Sequence, residues 1–328
     1  MATNLLITGG AGFIGSNLVE KFLRDDRIGL VRVVDDLSNG YFENIEEFLP
    51  NPKFEFVKGD ICDYDVCRQV MRGIHKVTHQ AALGSVPRSI ENPMRTNEVN
   101  VGGTVNILHA AHEAGVNRIV LAFSSSTYGD SAELPKVEER IGRPLSPYAV
   151  SKYAAELYAE VFAKTYGLPF IGLRYFNIFG PRQNPDNPYA AVIPIFCKAF
   201  IEGRAPRING DGTTSRDFTY VENALHANDL ALFTEDRAAL NQVYNVACGE
   251  QADLNDMVDM LRQITGKNIQ PEYGPERPGD VKHSKADISK IKRCLGYTPQ
   301  VRMLEGMRRV YQYYHQQMAE SHASLTTG

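Results

Sequence analysis

The sequence predicts an α/β fold, a doubly wound parallel sheet with helices on both faces and a smaller, mostly C-terminal lobe. Three observations predict it. Short apolar runs alternate with helically spaced segments through the first half. A glycine-rich run joins the first expected strand to the first expected helix. After Gly180, the prolines Pro181, Pro185, Pro188, Pro194 and Pro206 break the pattern. Strands that alternate with helices bury a parallel sheet between helical layers, and ligands then lie at the carboxyl ends of the strands where strand order reverses.

The expected strands, in order, are Asn4–Thr8, Val31–Asp35, Phe54–Lys58, Lys76–Gln80, Arg118–Ser124 and Pro169–Tyr175. Each is a short apolar run ended by polar or turn residues. Between them, Gly15–Arg24, Val101–Ala114 and Ser151–Tyr166 carry helical spacing, and Tyr244-Asn245-Val246-Ala247 reads as a strand returning to the main sheet. The end, Ser321–Gly328, is small and polar and reads as frayed.

Composition narrows the class. Hydrophobic residues make up 43% of the 328 and charged residues 23%, as in an ordinary globular protein. A net charge of −4 without a basic block gives no field for nucleic acid. The five cysteines form no C-x-x-C pair and are odd in number, so neither a disulfide framework nor a metal site is expected. No basic region or long apolar stretch is present near Asn4–Gly9, so the reading is a cytoplasmic chain with no membrane span.

Residues 9–15 read Gly9-Gly10-Ala11-Gly12-Phe13-Ile14-Gly15, after a strand and before a helix. Glycines at Gly9, Gly12 and Gly15 permit a tight turn and let the backbone approach a pyrophosphate at the helix N-terminus. Asp35 ends the second expected strand, 20 residues after Gly15, where a carboxylate accepts from an adenosine ribose. Asp36 follows, with no arginine for a 2′-phosphate, so the cofactor expected is NAD and the fold Rossmann-type. Asp60, in Gly59-Asp60-Ile61, is placed either to bond the adenine amino group or to hold a turn. The expected division is an NAD-binding domain over 1–178, with a return segment near 213–248, and a lobe from 179–212 and 249–328.

Tyr148-Ala149-Val150-Ser151-Lys152 sets a tyrosine four residues before a lysine. If Pro147 starts a helix, both side chains project from one face. A free phenol, with a pKa near ~10, is a poor base at neutral pH. A nearby ammonium and a positive nicotinamide favour the phenolate, which makes Tyr148 a general base for a substrate hydroxyl.

Together these motifs resemble the extended short-chain dehydrogenase/reductase family, and within it the UDP-hexose 4-epimerases. The resemblance spans nearly the whole chain, through Gly9–Gly15, Asp60-Ile61, His79-Gln80-Ala81-Ala82, Asn97–Thr104, Ser124–Asp130, Tyr148–Lys152, Arg174–Pro181 and Arg216-Asp217-Phe218. It implies that Ser124, four residues before Tyr128-Gly129, bonds the substrate 4-hydroxyl. Ser125 and Ser126 either share that role or cap a turn. It implies NAD contacts at Phe13, Ile14, Asp35, Asn39, Gly40, Asp60, Ile61, Gln80, Ala81, Ala82, Asn100, Tyr148, Lys152 and Tyr175. It implies UDP-sugar contacts at Asn177, Ala191, Val192, Asn209, Arg216, Arg277 and Asp280. Two arginines on a diphosphate suit charge-assisted bonding, although each taken singly suits a solvated surface too. Gln80 stands where the family usually has leucine or a similar residue.

The resemblance also implies the reaction. Tyr148 takes the proton of the 4-hydroxyl as NAD takes hydride from C4, giving a 4-keto sugar. Dehydratases of the family carry acids just after the catalytic residue, where Ser125 and Ser126 stand here. The remaining outcome is rotation of the keto sugar and hydride return to its other face, a 4-epimerisation with NAD recycling as a prosthetic group. Ser284 stands where the family borders the sugar 2-position, and hexose-restricted members tend to carry tyrosine there. Its small side chain leaves volume for an N-acetyl group, or is only a loop residue. The run Gly84–Ser89, with Ser85 and Arg88, resembles members that prefer N-acetylhexosamines. The expected substrate pair is therefore UDP-GlcNAc and UDP-GalNAc. UDP-glucose and UDP-GlcNAcA, the uronic acid, remain alternatives. A non-catalytic NAD-binding regulator would have lost Ser124, Tyr148 or Lys152, and all are present. The family further implies a homodimer through a four-helix bundle of 101–114 and 151–166. Ala110, Ala111, Ala154, Ala155, Ala159 and Ala163 are small enough for close helix approach, or pack on the sheet instead.

Overall fold

The computed structural model of the chain describes residues 2–185, 191–276 and 283–326. Its centre is a seven-stranded sheet. In chain order the strands are β1 (Thr3–Thr8), β2 (Ile28–Asp35), β3 (Phe54–Lys58), β4 (Lys76–His79), β5 (Arg118–Ser124), β6 (Phe170–Tyr175) and the strand Gln242–Val246. Across the sheet the order is Gln242–Val246, β6, β5, β4, β1, β2, β3, and every pairing is parallel. Strand order reverses at β1, which lies between β4 and β2. A crevice opens there at the carboxyl ends.

Successive residues of a strand face opposite layers. Leu5 and Ile7 of β1 enter one apolar core and Leu6 enters the other. The Leu6 face is covered by α2 (Tyr64–Val70), α5 (Thr104–Glu113) and α6 (Pro147–Tyr166), and the short helices α3 (Val86–Glu91) and α4 (Pro93–Asn97) pack on α6. The Leu5 face is covered by α1 (Phe13–Leu23) and α8 (Val221–Phe233). The same core continues into α7 (Val192–Ile201), α9 (Leu254–Thr265), α10 (Ser289–Leu295) and α11 (Met303–Thr326). These four helices therefore share their apolar interior with one face of the sheet. Each fully buried leucine, isoleucine or phenylalanine in it contributes about 1.5–3 kcal/mol. Phe22, fully buried on α1, would cost roughly 3–5 kcal/mol if cut to alanine.

Local signals set the element that carries the tyrosine. Ser146 caps α6 by accepting from Ala149 N at 3.1 Å, and Pro147 takes the first helical position. Gly167, at φ 68°, ends the helix in the left-handed region.

Two elements differ from the reading above. The helix expected over Val101–Ala114 begins as a π-helical turn, Glu98–Gly103, and only then becomes α5. Gly103 packs on Ile61, whose side chain lies 2.6 Å from where a Cβ would stand, so this turn is pressed against the loop after β3. The alanines offered for dimer packing divide. Ala110, Ala111, Ala155 and Ala159 are buried within the chain, because α5 and α6 use those small faces to lie on the sheet. The exposed apolar residues of α6 are Val150, Leu157, Tyr158, Val161 and Tyr166.

Candidate active site

The crevice is a cleft of about 1070 Å³ running from the glycine-rich turn to Ser284. At its cofactor end the turn is shaped by what glycine lacks. Gly9 has φ 68°, and a Cβ there would lie 2.7 Å from the Ala81 backbone. A Cβ on Gly15 would lie 2.0 Å from the Gly9 carbonyl oxygen. Gly12 caps α1 with no side-chain hydrogen bond and no acidic residue in the first turn, which leaves the positive helix end for an anion.

Asp35 holds this cradle together. One carboxylate oxygen accepts from Ala11 N and the other from Leu37 N, each at 2.9 Å. Burial raises its pKa, and the two amides work against that. Each oxygen keeps a lone pair for a ribose hydroxyl. Asp60 accepts from Arg95 at 2.8 Å. Burial alone would raise its pKa, but Arg95 and the Cys62 amide hold it below the usual value. A cradle that a Cβ would fill, an open helix end and a carboxylate at the tip of β2 fit NAD.

Beneath the cleft lies a floor of buried hydrogen bonds, behind the lining residues. Thr8 Oγ1 lies 2.7 Å from His79 Nδ1, and His79 Nε2 lies 3.0 Å from Thr104 Oγ1. Thr104 donates to the Asn100 carbonyl at 2.7 Å, so it accepts from Nε2–H, while Thr8 Oγ1 accepts from Gln80 N and Ala81 N and donates to Nδ1, which leaves His79 neutral. Burial pushes His79 down to about 3, in keeping with that state. Gln80, the departure from leucine, joins this floor. Its amide donates to Thr78 Oγ1 at 2.8 Å and accepts from the Tyr175 hydroxyl at 3.3 Å. Asn228 of α8 donates to the same tyrosine at 2.7 Å and accepts from Thr78 at 2.9 Å.

Beyond Tyr175 the cleft reaches Ser124 at the end of β5, with Tyr148 and Lys152 on α6. Burial pushes the Tyr148 phenol up, and a hydrogen bond with Ser124 pulls it back. Tyr148 sits in the first turn of α6, where the helix dipole favours a phenolate. Lys152 donates to the Ala122 carbonyl at 2.9 Å, so a strand carbonyl, not the phenol, holds its ammonium here. Burial lowers it to about 8, opposed by Glu156. Glu156 in turn is fixed by Arg174 at 2.7 and 3.0 Å. Ser126 Oγ donates to Ser124 Oγ at 2.9 Å, so Ser124 and Ser126 face the cleft as a bonded pair.

At the far end stand Asn177, Ala191, Arg216 and Ser284. Asp217, fully buried, ties this end to the sheet by accepting from Cys248 N and Gly249 N at 3.0 Å and from Ala286 N at 3.3 Å. Its carbonyl accepts from Asn177 at 2.9 Å.

Most of the expected residues thus gather on one cleft: Gly9, Gly12–Gly15, Asp35, Asn39, Gly40, Asp60, Ile61, Gln80–Ala82 and Tyr175 with those just named. Others stand behind it. Asn100 is buried and bonds Leu83 N and Ser151 Oγ, so it positions the loop after β4. Ser85 caps α3, and Arg88 donates to Asn39 at 3.0 Å. Val192 opens α7 and Asn209 ends the strand Arg207–Asn209, and neither lines the wall. Arg277 and Asp280 lie outside the described residues. Sequence reading missed Lys136, Leu145 and Arg182, which also line the cleft. A lysine and an arginine in loops carry no periodic signal that marks them.

Comparison with known proteins adds the family. The pattern of the NAD dependent epimerase/dehydratase family matches residues 5–247. The chain belongs to that family. A curated relative, the putative UDP-glucose 4-epimerase of Methanocaldococcus jannaschii, is 37% identical over 93% of this chain and 96% of its own length. The UDP-N-acetylglucosamine 4-epimerase of Methanobrevibacter ruminantium, solved with UDP-N-acetylmuramic acid, is 36% identical with a TM-score of 0.91, covering 97% of this chain and 99% of that one. The UDP-glucuronic acid 4-epimerase of Bacillus cereus, solved with UDP-glucuronic acid and NAD, is 31% identical with a TM-score of 0.88, covering 96% and 100%. The chain is thus an NAD-dependent enzyme of the epimerase/dehydratase family, among relatives that are UDP-sugar 4-epimerases, which are isomerases. Among the described residues no helix is long and apolar enough to cross a membrane.

Proposed function

We propose that the chain interconverts UDP-N-acetylglucosamine and UDP-N-acetylgalactosamine by 4-epimerisation. The carrying observation is the meeting of Ser124, Tyr148 and Lys152 on one cleft with the small Ser284. Relatives named as UDP-sugar 4-epimerases support the reaction class. Bound NAD supplies a reversible hydride acceptor at C4 of the sugar. Gly9–Gly15, Asp35 and Tyr175 would hold it. Tyr148 takes the proton of the 4-hydroxyl and returns it, with Ser124 bridging phenol and sugar. Lys152, charged below about pH 8, adds positive potential beneath the phenol. Arg216 binds a diphosphate oxygen. No carboxylate stands at Ser125 or Ser126 to drive elimination from C5 and C6, which favours epimerisation over dehydration.

The N-acetyl preference rests on Ser284, which leaves volume that a tyrosine ring would fill. The purified protein, given UDP-GlcNAc without added NAD, is expected to yield UDP-GalNAc by NMR with no accumulation of NADH. Stoichiometric NADH release, or turnover confined to UDP-glucose or UDP-GlcNAcA, would reject this reading.

We also propose a cytoplasmic homodimer joined through α5 and α6. The exposed row Val150, Leu157 and Val161 supports it, with residues 54%, 45% and 50% exposed on one helix. Light scattering at micromolar concentration tests it, and a monomer would reject it.

A further inference from the structure

Lys136 lines the cleft and has no task in the reaction described above. Only 4% of it is exposed. An ammonium carries three donors and is costly to bury with any of them idle. Among the described residues, Lys136 Nζ donates to the carbonyl of Ser131, and it forms no ion pair. The nearest acid acting on it is Glu133, which bonds Arg140 at 3.0 Å. Burial lowers its pKa, and Glu133 partly restores it. A buried cation with one carbonyl partner calls for a further acceptor.

Its backbone says where on the sugar that acceptor would be. Lys136 pairs in parallel with Ala286. Its N–H donates to the Lys285 carbonyl at 2.7 Å and its own carbonyl accepts from Asp287 N at 2.9 Å. Ser284 sits two residues before Ala286 in the same chain segment, and its N–H is held by the Ser215 carbonyl. Both Ser284 and Lys136 line the cleft. Backbone bonds thus hold Lys136 against the segment that bears Ser284, at the same end of the cleft.

We propose that Lys136 is a specificity-determining residue that donates a hydrogen bond to the acetamido carbonyl oxygen at C2 of the sugar. The inference rests on the reading of Ser284 given above. Ser284 supplies the space for the group and Lys136 the polar partner that rewards its presence. A plain hexose offers a hydroxyl that ends short of the amide oxygen and leaves the ammonium with the Ser131 carbonyl alone. A site built to bond a group discriminates against the analogue that lacks it more strongly than a merely roomy one.

The test is calorimetry on the NAD-loaded protein with UDP-GlcNAc, UDP-glucose and UDP. In wild type, UDP-GlcNAc binds more tightly than UDP-glucose. In Lys136→Met, which keeps the stem and removes the charge, the ratio of the two affinities falls about tenfold or more, the loss expected for a bond to a charged donor. Lys136→Gln, which retains a neutral donor, falls between. A variant whose affinities for both sugars drop by one common factor would overturn the inference, because Lys136 would then only brace its loop. An unchanged ratio would overturn it too. A wild type with no preference for UDP-GlcNAc would overturn the earlier reading and this one together, so the wild-type arm separates the two failures.

Discussion

At the cofactor end of the cleft, consecutive residues make the site, and they do so mainly with backbone. The turn Gly9–Gly15 offers amides and the absence of Cβ atoms, and Asp35 pins it from the tip of the next strand. At the sugar end, single side chains arrive from far apart in the sequence. Ser124 comes from β5, Tyr148 from α6, Arg216 from a short strand and Ser284 from a segment near the C-terminus. Asp217, next to Arg216, ties its strand to the Ser284 segment and to the turn at Cys248–Gly249 through backbone amides. The first kind of site tolerates little change, since each residue is fixed by its neighbours. The second can alter one side chain and leave the others in place.

Substitutions can break or sharpen this contrast. The largest effect is expected where the two ends meet. Tyr148→Phe removes the acid–base group and should lower kcat by about 10²- to 10⁴-fold, with NAD content and UDP-sugar affinity little changed. Steady-state rates beside calorimetry check this, and a near-wild-type rate would remove Tyr148 from its role.

Next comes the cofactor end. Gly9→Ala forces a Cβ into a left-handed turn 2.7 Å from the Ala81 backbone. Strain of about 1–2 kcal/mol, before any clash, should weaken NAD binding by roughly tenfold or more. Nucleotide content of the purified variant reads it out. Full retention of NAD would show that the turn yields more easily than its packing implies.

At the sugar end, Ser284→Tyr should shift the kcat/KM ratio toward UDP-glucose by at least about tenfold, roughly 1.4 kcal/mol. The ring and an acetamido group cannot share one volume. Loss of both activities in parallel would point to a folding defect instead.

The smallest effect concerns the joint. Burial pushes Asp217 up to about 7 against its three backbone partners, from an ordinary value of 3.8. Its native state therefore holds a proton that the unfolded chain releases near pH 4. Stability from this group falls as pH rises from about 4 to about 7. Asp217→Asn lacks that slope, so the stability gap between wild type and variant should narrow across the window. Urea unfolding at pH 5 and pH 7 measures it, and a constant gap would mean that Asp217 is ionised throughout.

Much of the sheet could be read from sequence. β3 and β5 match the expected bounds Phe54–Lys58 and Arg118–Ser124, because each is an apolar run closed by a polar residue. α8 escaped notice because two of its buried positions are asparagines. Asn223 bonds the Val301 carbonyl and Asn228 bonds Tyr175, so hydrogen bonding replaces the apolar stripe that marks a helix. The glycine turn and the Tyr148–Lys152 pair were legible because their chemistry depends on short spacing. Lys136 was not, because its meaning lies in a partner segment some 150 residues away.

The segment 283–287 has one more consequence. Ser284 N donates to Ser215, Lys285 and Asp287 bond Lys136, and Ala286 N is held by Asp217. The main chain here is clamped from both sides whatever side chain it bears. Selection can therefore rewrite position 284 one codon at a time, with the fold and the proton-transfer machinery insulated from the change. A saturation library at this position should return folded, NAD-bearing proteins for most residues, differing chiefly in which sugar they accept.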